Sequence, residues 1–247
     1  GQVLHEPNLA WEPALNSPEN CRMALALALI ATVCAVFYGL RFAATEEGHH
    51  GWTGTLIKAA STALLAVAGL LIEAPWLVCL GLAVGAVGDL ALARPGKGTF
   101  LAGMAAFAIG HLVYVAAFWD GARQLGSLAP SAGQGASLGL LALFILPLGL
   151  WLSSRAGDLR LPVLGYSLII GLMAAVALLL PAQAGRGLLW TGVALFLLSD
   201  TLLALRLFVA REPAHRKTLG LAVWPAYWVG QVLILIGATA SLGLPGA

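Results

Sequence analysis

The sequence predicts an all-α protein, a polytopic bundle of eight membrane-spanning helices, and three observations carry that expectation. Of the 247 residues 60% are hydrophobic and only 10% charged, whereas soluble domains carry about 25% charge. Mean hydropathy is +0.91, so there is more apolar surface than a single water-surrounded core can hide. The apolar residues also fall into eight runs, each close to the roughly 20 residues a spanning helix requires.

In chain order, residues 1–22 form a polar lead with three prolines and three glutamates and no cationic n-region of the signal-peptide kind. They are expected to lie outside the membrane, followed by one transmembrane domain over 23–247. The eight spans run from about Met23 to Phe42, Gly54 to Leu71, Trp76 to Ala93, Thr99 to Phe118, Gly135 to Leu152, Leu161 to Leu180, Gly187 to Phe208 and Leu219 to Leu242. The connections are short and rich in Gly, Pro and charge, as in EEGHHG, RPGKG, SRAGDLR and REPAHRK, which leaves no room for a soluble domain. Cys21, Cys34 and Cys79 are odd in number and lack CxxC spacing, so they read as small packing residues.

Basic residues are retained on the cytoplasmic side. Arg41, Arg94, Lys97, Arg155, Arg160, Arg206, Arg211, Arg216 and Lys217 fall at one end of the predicted bundle and Arg22, Arg123 and Arg186 at the other, nine against three. Both termini are therefore expected outside. Ten arginines against three lysines fit a GC-rich bacterial genome, hence a bacterial inner membrane. A net charge of +2 without a large basic cluster excludes nucleic acid as a main partner, and no obligate protein partner is implied.

Burying an ionisable side chain at mid-membrane costs roughly 2.5–3.5 kcal/mol on insertion scales. Lys58, Asp89 and Asp200 all sit inside predicted spans. Helix-fixing polar pairs average only about 0.6 kcal/mol, so a functional cluster explains these residues better than packing alone. Asp89 and Asp200 lie in the last third of two spans of the same direction, and Lys58 lies about one turn into a span of the opposite direction. All three can meet in the cytoplasmic half.

Helix four adds Phe107, His111, Tyr114 and Phe118 on one face, and helix eight adds Trp224, Tyr227 and Gln231 by the same spacing. Both stripes are expected to line a cavity. Gly81, Gly85 and Gly88 in helix three allow close approach of a neighbour beside Asp89. GDLALA and SDTLLAL echo one another, and a parallel four-plus-four duplication would bring the two aspartates into equivalent places. His111 is the only histidine within a span, too few for a zinc centre, so no metal and no cofactor is expected.

These residues resemble the YhhN family, which includes the bacterial and animal lysoplasmalogenases. The resemblance is carried by GDLALA (88–93), FLAGMAAFAIGHLVYVAAF (100–118), LLSDTLLAL (197–205) and YWVGQVLI (227–234), with Lys58 where the family tends to place a lysine. It covers the chain from about residue 54 onward; the polar lead and Arg206 stand outside it. The resemblance implies a membrane hydrolase acting on a lysophospholipid. Its substrate would be lysoplasmalogen, with an ethanolamine or choline headgroup, cleaved at the vinyl ether into a fatty aldehyde and the glycerophospho-compound.

Such chemistry needs an acid to protonate the alkene carbon and a carboxylate to stabilise the cation and activate water. Asp89 and Asp200 are the expected pair, with roles open. His111, Tyr114, Tyr227 and Gln231 would orient water or glycerol oxygens, and Lys58 would either keep one aspartate ionised or reach the lipid phosphate. The rival reading is a lipid or proton-coupled transporter built on the same Asp/Lys/His cluster. Pro147, Pro162 and Pro225 would then mark broken helices.

Overall fold

A computed structural model of the chain describes residues 17–45 and 51–242. Among them there are eight α-helices and no strand: α1 (Pro18–Arg41), α2 (Gly51–Leu71), α3 (Trp76–Leu92), α4 (Lys97–Gln124), α5 (Ala132–Arg155), α6 (Arg160–Leu179), α7 (Arg186–Phe208) and α8 (Pro213–Leu242), with one 3-10 turn at Gly157–Leu159. Seven are long and apolar enough to cross a membrane, and Trp76–Leu92 is an apolar helix of 17 residues.

All eight expected helices are present, and several run further than the apolar runs do. α1 starts at Pro18, inside the segment expected as polar lead, because Ser17 caps it by accepting a hydrogen bond from the Asn20 amide and proline suits the first helical turn. The rest of that lead, 1–16, lies outside the described residues. α4 continues through Asp120 and Arg123 to Gln124; hydropathy measures the membrane, not the helix. At the start of α5 Ser131 and Gln134 form a reciprocal capping box. Pro147 and Pro225 lie inside unbroken helices, and Pro162 lies in the first turn of α6, so none marks a break.

The helices run alternately up and down. At one end the Arg94 guanidinium stacks 3.9 Å over the Trp52 ring, Lys97 pairs with Asp158 at 3.8 Å, and Arg206 donates to the Thr45 carbonyl at 2.6 Å. These contacts gather the α1–α2, α3–α4 and α5–α6 connections and the end of α7. At the other end Ser127 donates to the Leu179 carbonyl at 2.6 Å and Ser241 to the Ala184 carbonyl at 2.8 Å. The start of α1 and the end of α8 therefore share an end.

Helices adjacent in sequence pack on one another except α4 and α5; α4 packs on α6 instead, and α8 also meets α1, α2 and α3. α5 lies against α6 and, more lightly, α7. Small residues set the closest crossing: a Cβ at Gly192 on α7 would come within 2.7 Å of the Gly230 carbonyl on α8. The outer faces are apolar, with Leu40 86%, Leu161 76% and Leu143 72% exposed, an arrangement suited to lipid and not to water. Exposed Trp52 and Trp151 at one end and Trp76 and Trp119 at the other form the two aromatic belts of a membrane protein. Of the cysteines, Cys79 is buried as a packing residue, whereas Cys21 is exposed.

Candidate active site

Seven helices, α2 to α8, contribute to the wall of one cavity of about 110 Å³, and the intramembrane charges border it. Lys58 from α2, Asp89 from α3, Asp200 from α7 and Tyr227 from α8 all border it. The remainder is apolar: Phe100 and Met104 of α4, Leu148 and Leu152 of α5, Val163 and Ile170 of α6, and Leu203 and Leu207 of α7.

Asp89 is almost completely enclosed. Its Oδ1 lies 3.6 Å from Lys58 Nζ. Its Oδ2 accepts hydrogen bonds from Thr62 Oγ1 at 2.9 Å and from Tyr227 Oη at 2.8 Å. The Lys58 ammonium also faces the rings of Tyr38 and Trp224, at 5.8 and 5.9 Å, a further attraction for a cation away from water. Of the glycines of α3, Gly85 lets α8 approach, since a Cβ there would stand 3.2 Å from Gln231 Nε2 and 3.4 Å from Tyr227 Oη, while Gly88 and Gly81 admit α4. A Cβ at Gly88 would stand 2.7 Å from the Phe107 ring, and one at Gly81 would stand 2.5 Å from that of Tyr114.

Asp200 is built differently. Tyr166 of α6 donates to Asp200 Oδ2 at 2.6 Å, and His111 Nε2 lies 3.6 Å from the same oxygen. His111 is wedged between Tyr166, edge-on at 5.4 Å, and Phe196 at 4.7 Å. Within 4 Å of Asp200, His111 is the only basic group among the described residues. The Asp200 side chain is 14% exposed, against 1% for Asp89.

The two aromatic stripes divide between the cavity and its backing. Phe107, Trp224 and Tyr227 line it; His111, Tyr114, Phe118 and Gln231 do not. Tyr114 donates to Gln231 Oε1 at 2.6 Å, and Gln231 Nε2 donates to Tyr227 Oη at 3.4 Å. Tyr114 and Gln231 thus reach Asp89 only through Tyr227, because their side chains point into the α3–α4–α8 packing. Arg206, also buried, is turned away from the cavity toward Thr45. Sequence reasoning missed Tyr166, Thr62 and Ser199. For Tyr166 the available signal was a phenol beside Ser167 in an otherwise apolar run, and for Ser199, which borders the cavity, its place beside Asp200 in LLSDTLLAL; Thr62 gave none, since small hydroxyl residues are ordinary in spanning helices. No group of three or more His, Cys, Asp or Glu among the described residues is arranged to hold a metal ion.

The family model described as the YhhN family matches residues 53–238. The chain belongs to the YhhN family. This YhhN protein is 32% identical over 246 residues to lysoplasmalogenase TMEM86B of Rattus norvegicus, covering 98% of this chain and 94% of the rat protein. It is 34% identical over 235 residues to lysoplasmalogenase TMEM86B of Homo sapiens, covering 91% and 89%. It is 30% identical over 202 residues to a lysoplasmalogenase of Mycobacterium tuberculosis, covering 78% and 73%. No solved structure matches it. With seven spanning-length helices, lipid-suited outer faces and family relatives of similar length, it is an integral membrane protein.

Proposed function

We propose that this YhhN protein is a membrane-embedded lysoplasmalogenase that hydrolyses the vinyl ether of lysoplasmalogen to a fatty aldehyde and a glycerophospho-ethanolamine or -choline. The observation that carries the reading is a cavity bordered by two carboxyl groups and otherwise walled mostly by apolar side chains. That combination suits an alkenyl chain whose reactive bond lies where chain meets glycerol. The named relatives support the same reaction.

One carboxyl group gives its proton to the β-carbon of the alkene, whose π pair forms the new C–H bond, and the positive charge spreads over the α-carbon and the ether oxygen. Water bonds to the α-carbon and passes a proton to the second carboxylate, giving a hemiacetal. The bond from that carbon to the glycerol oxygen then breaks; the oxygen takes back this proton, and the hemiacetal hydroxyl proton returns to the first carboxyl. One water is consumed and both aspartates regain their starting states, the division of labour seen in glycoside hydrolysis. Tyr227 and the Lys58 ammonium hold Asp89 in place, and Tyr166 and His111 flank Asp200.

The test is mass spectrometry of aldehyde released from lysoplasmalogen by the purified, detergent-solubilised protein. In D2O the aldehyde should carry one deuterium on the carbon next to the carbonyl. No aldehyde with either headgroup from well-folded protein sinks the reading and turns attention to transport.

The same proposal includes a bacterial inner-membrane location, both termini outside with residues 1–22 as an extramembrane lead, and a four-plus-four repeat. The nine-to-three basic bias supports the orientation. Packing of α4 on α6 and of α8 on α2 is the relation that an offset of four helices predicts.

A further inference from the structure

We infer that Asp200 is the proton donor to the alkenyl chain and that Tyr166 is its positioning residue, an assignment that rests on the lysoplasmalogenase reading. Two independent observations carry it. The first is which part of the cavity each carboxyl group borders. In an alkenyl ether the β-carbon lies on the chain side and the oxygen on the glycerol side, so the acid must stand where the cavity turns apolar. Asp200 does: Leu203, Ala204, Leu207 and Phe208, on the next two turns of its own helix, line the apolar wall, whereas beyond Asp89 only Leu92 of α3 borders it. Asp89 stands beside Lys58 and Tyr227, the side on which water and the glycerol oxygen belong.

The second is how the oxygens are used. Tyr166 and His111 both meet Oδ2 of Asp200, so that oxygen is taken and Oδ1 is the one left for the substrate. Asp89 has an ammonium 3.6 Å away, whereas no Lys or Arg among the described residues comes within 4 Å of Asp200; the ion-paired carboxylate is the one that suits the base. The proton on Asp200 passes to the β-carbon, and the proton of the attacking water passes to Asp89. The Tyr166 hydroxyl is taken up by Asp200 and acts through it, while the ring forms part of the cavity wall.

The experiment measures kcat and KM for aldehyde release from lysoplasmenylethanolamine across pH for the wild type, Tyr166→Phe, Asp200→Asn, Asp89→Asn and the Tyr166→Phe/Asp200→Asn double variant. Each is checked first for an unchanged elution profile and assayed well below its melting temperature, which Asp89→Asn is expected to lower by leaving the Lys58 charge unpaired. Tyr166→Phe keeps the ring that packs against His111, and is expected to lower kcat about 10–100-fold with KM within about twofold and to displace the limb on which rate falls at high pH. The double variant should be no slower than Asp200→Asn, because a residue acting through another adds nothing once that one is gone. The residual rate of Asp200→Asn should lose the high-pH limb, and that of Asp89→Asn the low-pH limb. An unimpaired Tyr166→Phe, multiplicative losses in the double variant, or exchanged limbs overturn this inference while leaving the hydrolase reading intact. No aldehyde from the wild type overturns both.

Discussion

Lys58 Nζ and Asp89 Oδ1 lie 3.6 Å apart with side chains 9% and 1% exposed, so each charge has the other, and not water, as its counterweight. Removing one partner of a buried pair leaves an uncompensated charge and typically costs about 3–5 kcal/mol, whereas replacing both is often neutral. Lys58→Met is therefore expected to lower the melting temperature clearly, and Lys58→Met/Asp89→Asn to recover most of the loss. A double variant no more stable than the single one would show that the pair does not carry this energy.

The same contact bears on the lysine's part in turnover. Lys58→Met should act mainly on kcat, with KM within about twofold, because the ammonium is committed to Asp89. A rise confined to KM would instead assign Lys58 to the lipid phosphate.

Asp89→Asn and Asp200→Asn each preserve shape and should leave membrane insertion intact while lowering kcat by orders of magnitude. Together they should cost little more than the worse of the two, since the groups serve one reaction as a unit. A near wild-type rate for either variant would remove that aspartate from the chemistry.

Tyr114 and Gln231 stand one hydrogen bond behind Tyr227. Tyr114→Phe should cost about 0.5–1.5 kcal/mol in stability and less than tenfold in kcat. Thermal melts and steady-state rates on one preparation check this; a loss matching that of Asp89→Asn would place Tyr114 in contact with the reaction.

Gly192 and Gly230 let α7 and α8 touch backbone to backbone. Gly192→Leu should force these helices apart at a cost of about 1–3 kcal/mol or more, seen as a lower melting temperature or loss of monodisperse protein. An unchanged melt would show that the crossing can relax freely.

What the sequence disclosed, and what it hid, follows from how strongly each residue type departs from a lipid-compatible background. Lys58, Asp89 and Asp200 stood out because a charge in an apolar run is costly wherever it faces, and their convergence followed from span direction and depth alone. Tyr166 did not stand out, since a tyrosine is tolerated on lipid-facing, interfacial and buried surfaces alike; only the packing of α6 against α7 reveals that its hydroxyl meets Asp200. Helical spacing put Tyr114 and Gln231 on the faces of Phe107 and Tyr227 correctly. A face is broad enough, however, to serve both a cavity and the helix contact behind it, and spacing does not choose between them. The ends of α4 were hidden for a simpler reason, as charged residues end a hydrophobic run without ending a helix.

The brevity of α3 has a consequence for the second reactant. Its 17 residues span about 25 Å at 1.5 Å per residue, less than the roughly 30 Å of a bilayer's hydrocarbon, and Trp76, Val87 and Leu90 face outward from it. A short apolar segment draws the surrounding bilayer thin, and Asp89 lies only four residues, about 6 Å of helix, from Ala93 at its end. Hydrophobic mismatch on this one helix thus brings the aqueous phase toward the buried carboxylate and shortens the path of the co-substrate that cannot arrive through lipid.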